Sequence, residues 1–179
     1  MRVIAGSLKG RRLKAPTWVG LRPTSDKLRE TLFNILAPRI AGARVLDGYA
    51  GTGAVGIEAL SRGAAHVAFV EHDRRAQALI AGNHALCGVA DGYAIIRASL
   101  SRALGDLHGE SFDIMVFDPP YDDQPDDILA AAGDRLAANG LLVLEHARRR
   151  PAPDSAGRLV RTRRVISGDS ALSFYSWPL

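Results

Sequence analysis

The chain has a single cysteine, Cys87, in 179 residues. No disulfide can close within it and no thiolate cluster can hold a metal, so a reducing, cytoplasmic location is expected. Cys87 ends a helical-looking stretch beside Gly88 and reads as a packing residue. Histidine is sparse as well. His66, His72, His84, His108 and His146 stand at no spacing that would join them to an acid or thiol around a metal. No apolar run nears the roughly 20 residues that cross a bilayer. The basic stretch Met1 to Pro16 leads into no apolar block of the secretory kind. Internal repeats, low-complexity tracts, a serine nucleophile elbow and a Walker phosphate loop are missing too. These absences exclude disulfide scaffolds, membrane spans and zinc modules. With 47% hydrophobic and 23% charged residues, the chain is of ordinary globular composition and long enough for one domain.

Acidic residues are scarce in the first quarter of the chain. Residues 1–44 hold ten Lys or Arg against Asp26 and Glu30, a surplus of eight, and since the whole chain is +4 the rest carries −4. Such segregation fits a basic surface turned to a polyanion, and equally a solvated basic face without a partner. A second basic cluster, Arg148 to Arg150 with Arg158, Arg161, Arg163 and Arg164, lies near the end.

The order of elements follows from periodicity. Residues 2–6 and 11–15 read as short strands joined through Ser7 to Gly10, a basic hairpin. Thr24 is the expected N-cap of a helix through Leu36, ended by Pro38. Strands are then expected at 44–47, 66–71, 93–97, 112–117 and 140–146. Helices at 53–62, 73–87, 100–106 and 125–137 alternate with them, the βαβ rhythm of a mostly parallel sheet. Two extended runs, 158–165 and 171–177, around Ser167-Gly168-Asp169 predict an antiparallel hairpin at the sheet edge.

Two segments carry the chemistry. Gly51-Thr52-Gly53-Ala54-Val55-Gly56 matches G-x-G-x-x-G, and Glu71 follows Gly51 by 20 residues, where a carboxylate can accept from ribose hydroxyls. A dinucleotide loop sets its first glycine tight against the strand, so that a pyrophosphate meets the helix N-terminus. Here Asp47-Gly48-Tyr49-Ala50 intervenes. An acid at that place repels a pyrophosphate and suits a cation, such as the sulfonium and ammonium of S-adenosylmethionine. Beyond the strand at 93–97, Ser99 and Leu100 stand where an adenine would lie, and His72 follows Glu71 directly. Taken singly, each residue also has a plainer reading: the glycines as a tight strand-to-helix turn, Asp47 as a cap, Glu71 as an ordinary acid leaving the sheet.

The second segment, Asp118-Pro119-Pro120-Tyr121, closes the apolar run Phe112 to Phe117. Proline locks φ and gives up a donor, so this turn is stiff and offers carbonyl acceptors. An exocyclic amine on a purine is a poor nucleophile because its lone pair is delocalised into the ring. Acceptors at Asp118 and the Pro119 carbonyl would favour a pyramidal nitrogen, and the Tyr121 ring would fix the base plane. Alignment of this kind can lower a barrier by roughly 7–11 kcal/mol at the upper end.

With these stretches in view, the sequence resembles the bacterial 16S rRNA (guanine-N2)-methyltransferase D family over essentially its whole length. The resemblance is carried by Arg2 to Gly6 with Lys9 to Leu13, by Leu21-Arg22-Pro23-Thr24 through Asn34, by Val45 to Gly63, by Asp118 to Tyr121 and by Gly168 to Tyr175. It implies a Rossmann-like α/β fold with a mostly parallel seven-stranded sheet, residues 1–23 forming an extension and 24–179 the methyltransferase domain. It implies S-adenosylmethionine as donor and a guanine amine of 16S ribosomal RNA as acceptor, with the RNA presented within a partly assembled small subunit. The enzyme would act as a monomer. On the same resemblance Asp47, Gly48, Tyr49, Ala50, Gly51, Gly53, Glu71, His72, Ser99 and Leu100 surround the donor. Asp118 to Tyr121 hold a flipped guanine, and Lys9, Arg11, Arg12, Lys14, Arg22 and Thr24 grip RNA. Gly48-Tyr49 departs from the family's more usual apolar pair, and Ser99 stands where an Asp is expected.

Three other readings share parts of this pattern. A DNA adenine-N6 methyltransferase uses the same Asp-Pro-Pro-Tyr logic, but 179 residues leave little room for a target-reading module. Other amine methyltransferases, such as those acting on protein glutamine, typically carry Asn in place of Asp118. A non-catalytic RNA-binding assembly factor would have no need of Asp47, Glu71 and Asp118 together.

Overall fold

A computed structural model describes residues 1–120 and 123–179. Helices α1 (Asp26–Ile40), α2 (Ala54–Ser61), α3 (Arg74–Cys87), α4 (Leu100–Asp106) and α5 (Asp126–Gly133) alternate with strands β1 (Arg44–Asp47), β2 (His66–Val70), β3 (Tyr93–Ile96), β4 (Phe112–Phe117) and β5 (Leu136–Ala147). Strands β6 (Ser155–Ala156), β7 (Leu159–Ser167) and β8 (Ser170–Ser176) complete one sheet in the order β3-β2-β1-β4-β5-β8-β7-β6. The first five strands are parallel and β5, β8, β7 and β6 pair antiparallel. This is the Rossmann-like methyltransferase architecture. The sheet has eight strands among the described residues rather than seven, because Ser155–Ala156 adds a short edge to β7.

The chain leaves β1 for β2 and β3 on one side, then crosses back to lay β4 on the other. That reversal opens a crevice outside the carboxyl ends of β1 and β4, where open α/β sheets bind ligands. Period-two alternation sorts the core. Val45, Val116 and Val143 pack on the face covered by α1 and α2, while Leu46, Phe117 and Leu144 pack on the opposite face with Leu100, Leu104 and Leu129.

Several boundaries differ from those expected, each for a tertiary reason. Ser25, not Thr24, caps α1, its hydroxyl accepting from the Leu28 N–H at 3.2 Å. The helix continues through Pro38 to Ile40, whose burial beside Leu36 holds the last turn. Helix α5 stops at Gly133, because Leu136 leaves it to pair with Phe112 and start a β5 longer than expected. At the N-terminus the two expected strands reduce to one bridge, Arg2 with Arg12. The two arms still bond to each other, the Val3 and Leu13 N–H groups donating to the Arg11 and Met1 carbonyls, each at 3.0 Å. The backbone between them also bonds to α2: the Glu58 carboxylate accepts from the N–H groups of Ile4 and Ala5, at 2.8 and 3.0 Å, and the Ser61 hydroxyl accepts from that of Leu8. Val3 and Leu13 are buried in the same core as α1 and α2.

Candidate active site

Apolar strand runs end on acids along one edge of the sheet. Asp47 closes β1, Glu71 follows β2, Asp118 follows β4, and Glu145 comes after Leu141 to Leu144 of β5. Asp47, Asp118 and Glu145 each stand two residues beyond one of the valines on the α1–α2 face, so alternation brings all three to that face. They line a single cavity of about 990 Å³ that also receives Gly48 to Thr52, Glu71, His72, Ser99, Leu100, Pro119 and Pro120. The two motif loops therefore open into one shared space. Tyr121 lies outside the described residues.

The glycine loop is built by sterics. Gly51 and Gly53 have φ of +56° and +80°, which side-chain-bearing residues rarely adopt, and Gly53 is the residue from which α2 starts. Gly48 is required by proximity: a Cβ there would lie 2.4 Å from the Phe117 ring and 2.9 Å from Leu100. Tyr49 stands edge-on to the same Phe117 ring at 6.3 Å, and burial pushes its hydroxyl up to about 12. The departure Gly48-Tyr49 is thus one packing solution, a missing side chain beside an aromatic pair. Gly56 belongs to the helix–sheet contact, since a Cβ there would strike Phe69 at 2.2 Å.

Asp47 is buried at 3% exposure and accepts one bond, from the Gly56 N–H at 3.1 Å. Burial raises its pKa to about 7, the Gly56 bond opposing and the Glu71 charge adding to the rise. Glu71 shapes the loop from beneath. One carboxylate oxygen accepts from the Gly51 N–H and the other from the Asp73 N–H, each at 2.9 Å. Each oxygen keeps a second lone pair, so ribose recognition remains open to it while it fixes two turns. His72 is exposed, with Nδ1 3.6 Å from Glu71. Ser99 spends its hydroxyl oxygen capping α4, accepting from the Arg102 N–H at 3.3 Å. Leu100 is buried beneath the loop.

On the facing wall, burial, then the charge of Glu145, then that of Asp47 hold the Asp118 carboxyl well above the usual range. Among the described residues no N–H donates to the Pro119 carbonyl, whereas the Pro120 carbonyl accepts from Asp123 at 3.0 Å. Among the described residues, then, the Pro120 carbonyl carries one bond and keeps a second lone pair, and the Pro119 carbonyl carries none. The third wall is the loop before α1. Trp18 meets the Arg75 guanidinium at 4.9 Å, Leu21 lies against Gly51, and Arg22, Pro23 and Thr24 line the cavity. Of the residues expected to contact RNA, Arg22 is exposed at this rim and Thr24 points inward, its hydroxyl donating to Glu145 at 3.1 Å. Lys9, Arg11, Arg12 and Lys14 are exposed but stand outside the cavity lining.

Sequence reasoning missed Glu145, Trp18 and Arg75. A signal for Glu145 exists: like Asp47 and Asp118, it is an acid placed directly after a buried strand run. Trp18 and Arg75 give no such signal, being joined only through space.

Residues 1–176 match the family model described as "Conserved hypothetical protein 95". YlbH of Bacillus subtilis (strain 168), whose name ascribes rRNA methylation to it, is 38% identical over 180 residues, covering 98% of each chain. Ribosomal RNA small subunit methyltransferase D of Escherichia coli (strain K12) is 42% identical over 121 residues, which make up 68% of this chain and 60% of that protein. Among solved structures, yhhF of Escherichia coli, described as a methyltransferase, superposes with a TM-score of 0.85 at 30% identity, over 98% of this chain and 96% of that one.

Proposed function

The chain belongs to the ribosomal RNA small subunit methyltransferase D family, and from that premise we propose that it transfers a methyl group from S-adenosylmethionine to the N2 amine of a guanine in 16S ribosomal RNA. The observation that carries this reading is the shared cavity, in which the glycine loop and the Asp-Pro-Pro turn face one space at the reversal of the sheet.

The donor fits the chain's own residues. Asp47 and Glu71 make this side of the cavity acidic, which favours a cationic ligand over a pyrophosphate. Gly51 and Gly53 allow close approach of the backbone, Glu71 and His72 would meet the ribose, and Ser99 and Leu100 would border the adenine. When bound, S-adenosylmethionine supplies a methyl carbon on positive sulfur; the carbon–sulfur bond breaks with its electron pair left on sulfur as the carbon–nitrogen bond forms. The protein's part is alignment. Asp118 and the Pro119 carbonyl accept from the two N–H bonds of the amine and so direct its lone pair. The proton that N2 sheds passes to Asp118 or to solvent. The basic arm and Arg22 would hold the RNA backbone.

The test is methyl transfer from tritiated donor to ribosomal RNA and small subunits from cells lacking the gene, with mass mapping of the product nucleoside. Asp118→Ala should bind donor with unchanged affinity by calorimetry and lose transfer by at least roughly 10²-fold. Full activity in that variant, or a product other than N2-methylguanine, overturns the reading.

A further inference from the structure

Glu145 enters the cavity beside Asp118, and no step described so far uses it. The last registered pair of β4 and β5 is Phe117 with Leu144, so Asp118 and Glu145 follow one step beyond it, on neighbouring parallel strands roughly 5 Å apart. Both fall on the same face of the sheet and both line the cavity. Thr24, from the loop before α1, donates its hydroxyl to Glu145 Oε2 at 3.1 Å, leaving the other carboxylate oxygen without a bond among the described residues. A half-buried carboxylate held by a loop 121 residues away in sequence is a costly arrangement if it serves only to join strand to loop.

The Watson–Crick edge of guanine supplies a use for it. That edge presents two adjacent donors, N1–H and the N2 amine, whereas adenine presents a donor at N6 beside a bare acceptor at N1. Two acceptors side by side match guanine and repel adenine. Resting on the guanine reading above, we propose that Glu145 is a specificity-determining residue whose carboxylate, positioned by Thr24, accepts the N1–H of the target guanine while Asp118 and Pro119 hold its N2 amine. An Asp-Pro-Pro turn alone can seat any exocyclic purine amine, and Glu145 is what restricts it to guanine. Thr24 is then a positioning residue for Glu145, and the loop containing it ties base selection to the wall of the donor cavity.

The test compares RNA carrying guanine with RNA carrying 2-aminopurine at the mapped target. The analogue keeps the N2 amine and lacks the N1 hydrogen. Wild-type enzyme should favour guanine in kcat/KM by roughly 10- to 100-fold, as expected for a lost bond to a charged acceptor. Glu145→Gln can turn its amide N–H toward a bare N1, so its preference should shrink to within about threefold, with donor affinity by calorimetry unchanged. Thr24→Val should narrow the preference in part. Equal use of the two bases by wild-type enzyme overturns the proposal without any variant. So does a Glu145→Gln enzyme that keeps the wild-type preference, even at reduced rate, since a purely structural role would lower both rates together. Wild-type enzyme that methylates neither base at N2 refutes the guanine reading instead.

Discussion

Asp47 holds a carboxyl where ionisation is unfavourable. Burial raises its pKa to about 7, against about 3.9 for an unfolded chain. Between those values the unfolded chain is ionised while the folded one keeps its proton. The stabilisation Asp47 gives is therefore complete below about pH 4 and lost as pH rises through about 7. A bound cation would reverse the preference by favouring the carboxylate. Two outcomes follow. Asp47→Asn, neutral at every pH and of the same shape, should match the wild type in thermal midpoint near pH 4.5 and exceed it at pH 8, while binding S-adenosylmethionine far more weakly. Donor affinity of the wild type should rise with pH through about 7, with proton release measurable by calorimetry in buffers of different ionisation enthalpy. Parallel melting curves for the two proteins across that range would show that Asp47 is ionised in the free enzyme.

At the level of elements, Glu58 ties the N-terminal hairpin to α2. It is fully buried on α2 and accepts from Ile4, Ala5 and the Arg62 Nε, the last at 2.8 Å. Arg29, also fully buried, donates to the Arg2 carbonyl from the α1 side. Glu58→Gln replaces one acceptor oxygen with a donor facing N–H groups and leaves Arg62 without its ion pair, at a cost of about 3 kcal/mol. Hydrogen exchange at Ile4 and Ala5 should speed up and the thermal midpoint fall, with donor binding retained because α2 still begins at Gly53. Unchanged exchange at those two amides would mean that other contacts hold the segment. The same element shows where sequence is legible and where it is not. Val45 to Asp47 and Phe112 to Asp118 carry their meaning locally, as apolar runs ended by an acid, so the strands and both motif loops could be read directly. The hairpin at 2–15 was read from local alternation and its arms do bond to each other, but the carboxylate that accepts from Ile4 and Ala5 lies 53 or 54 residues away and has no local sign. Thr24 and Ser25 are both hydroxyl residues before a helix, and only the pairing of Thr24 with Glu145 decides which of them caps it. Glu145 itself carried the local sign of a site residue. Its significance depends on β5 lying next to β4, which no short window of sequence contains.

For the whole molecule, the question is how far the basic arm lies from the reacting base. Leu8 is bonded to Ser61 in the last turn of α2, whereas Gly53, at the start of that helix, belongs to the donor loop. Eight residues of helix put about 12 Å between them. The segment then runs back toward the cavity, where the Asn83 amide accepts from the Lys14 N–H at 2.7 Å and donates to the Thr52 carbonyl at 2.9 Å. Lys9, Arg11 and Arg12 are thus exposed outside the cavity lining, on a segment bonded to the far end of α2, and on the proposed function they would grip phosphates rather than the target base. Removing them should alter how tightly RNA is held and leave the aligned methyl transfer intact. With Lys9, Arg11 and Arg12 all changed to alanine, KM for RNA should rise while kcat stays within about twofold. The slope of log K against log salt should fall by about 2 to 3, since each phosphate contact contributes roughly 0.7–0.9. Arg148 provides the contrast, because its N–H donates to the carbonyl of Asp169, a residue that lines the cavity. If RNA instead crosses only that rim, the triple variant will keep its salt slope and Arg148→Ala will lose about one unit of it, which would take the N-terminal arm out of the interface.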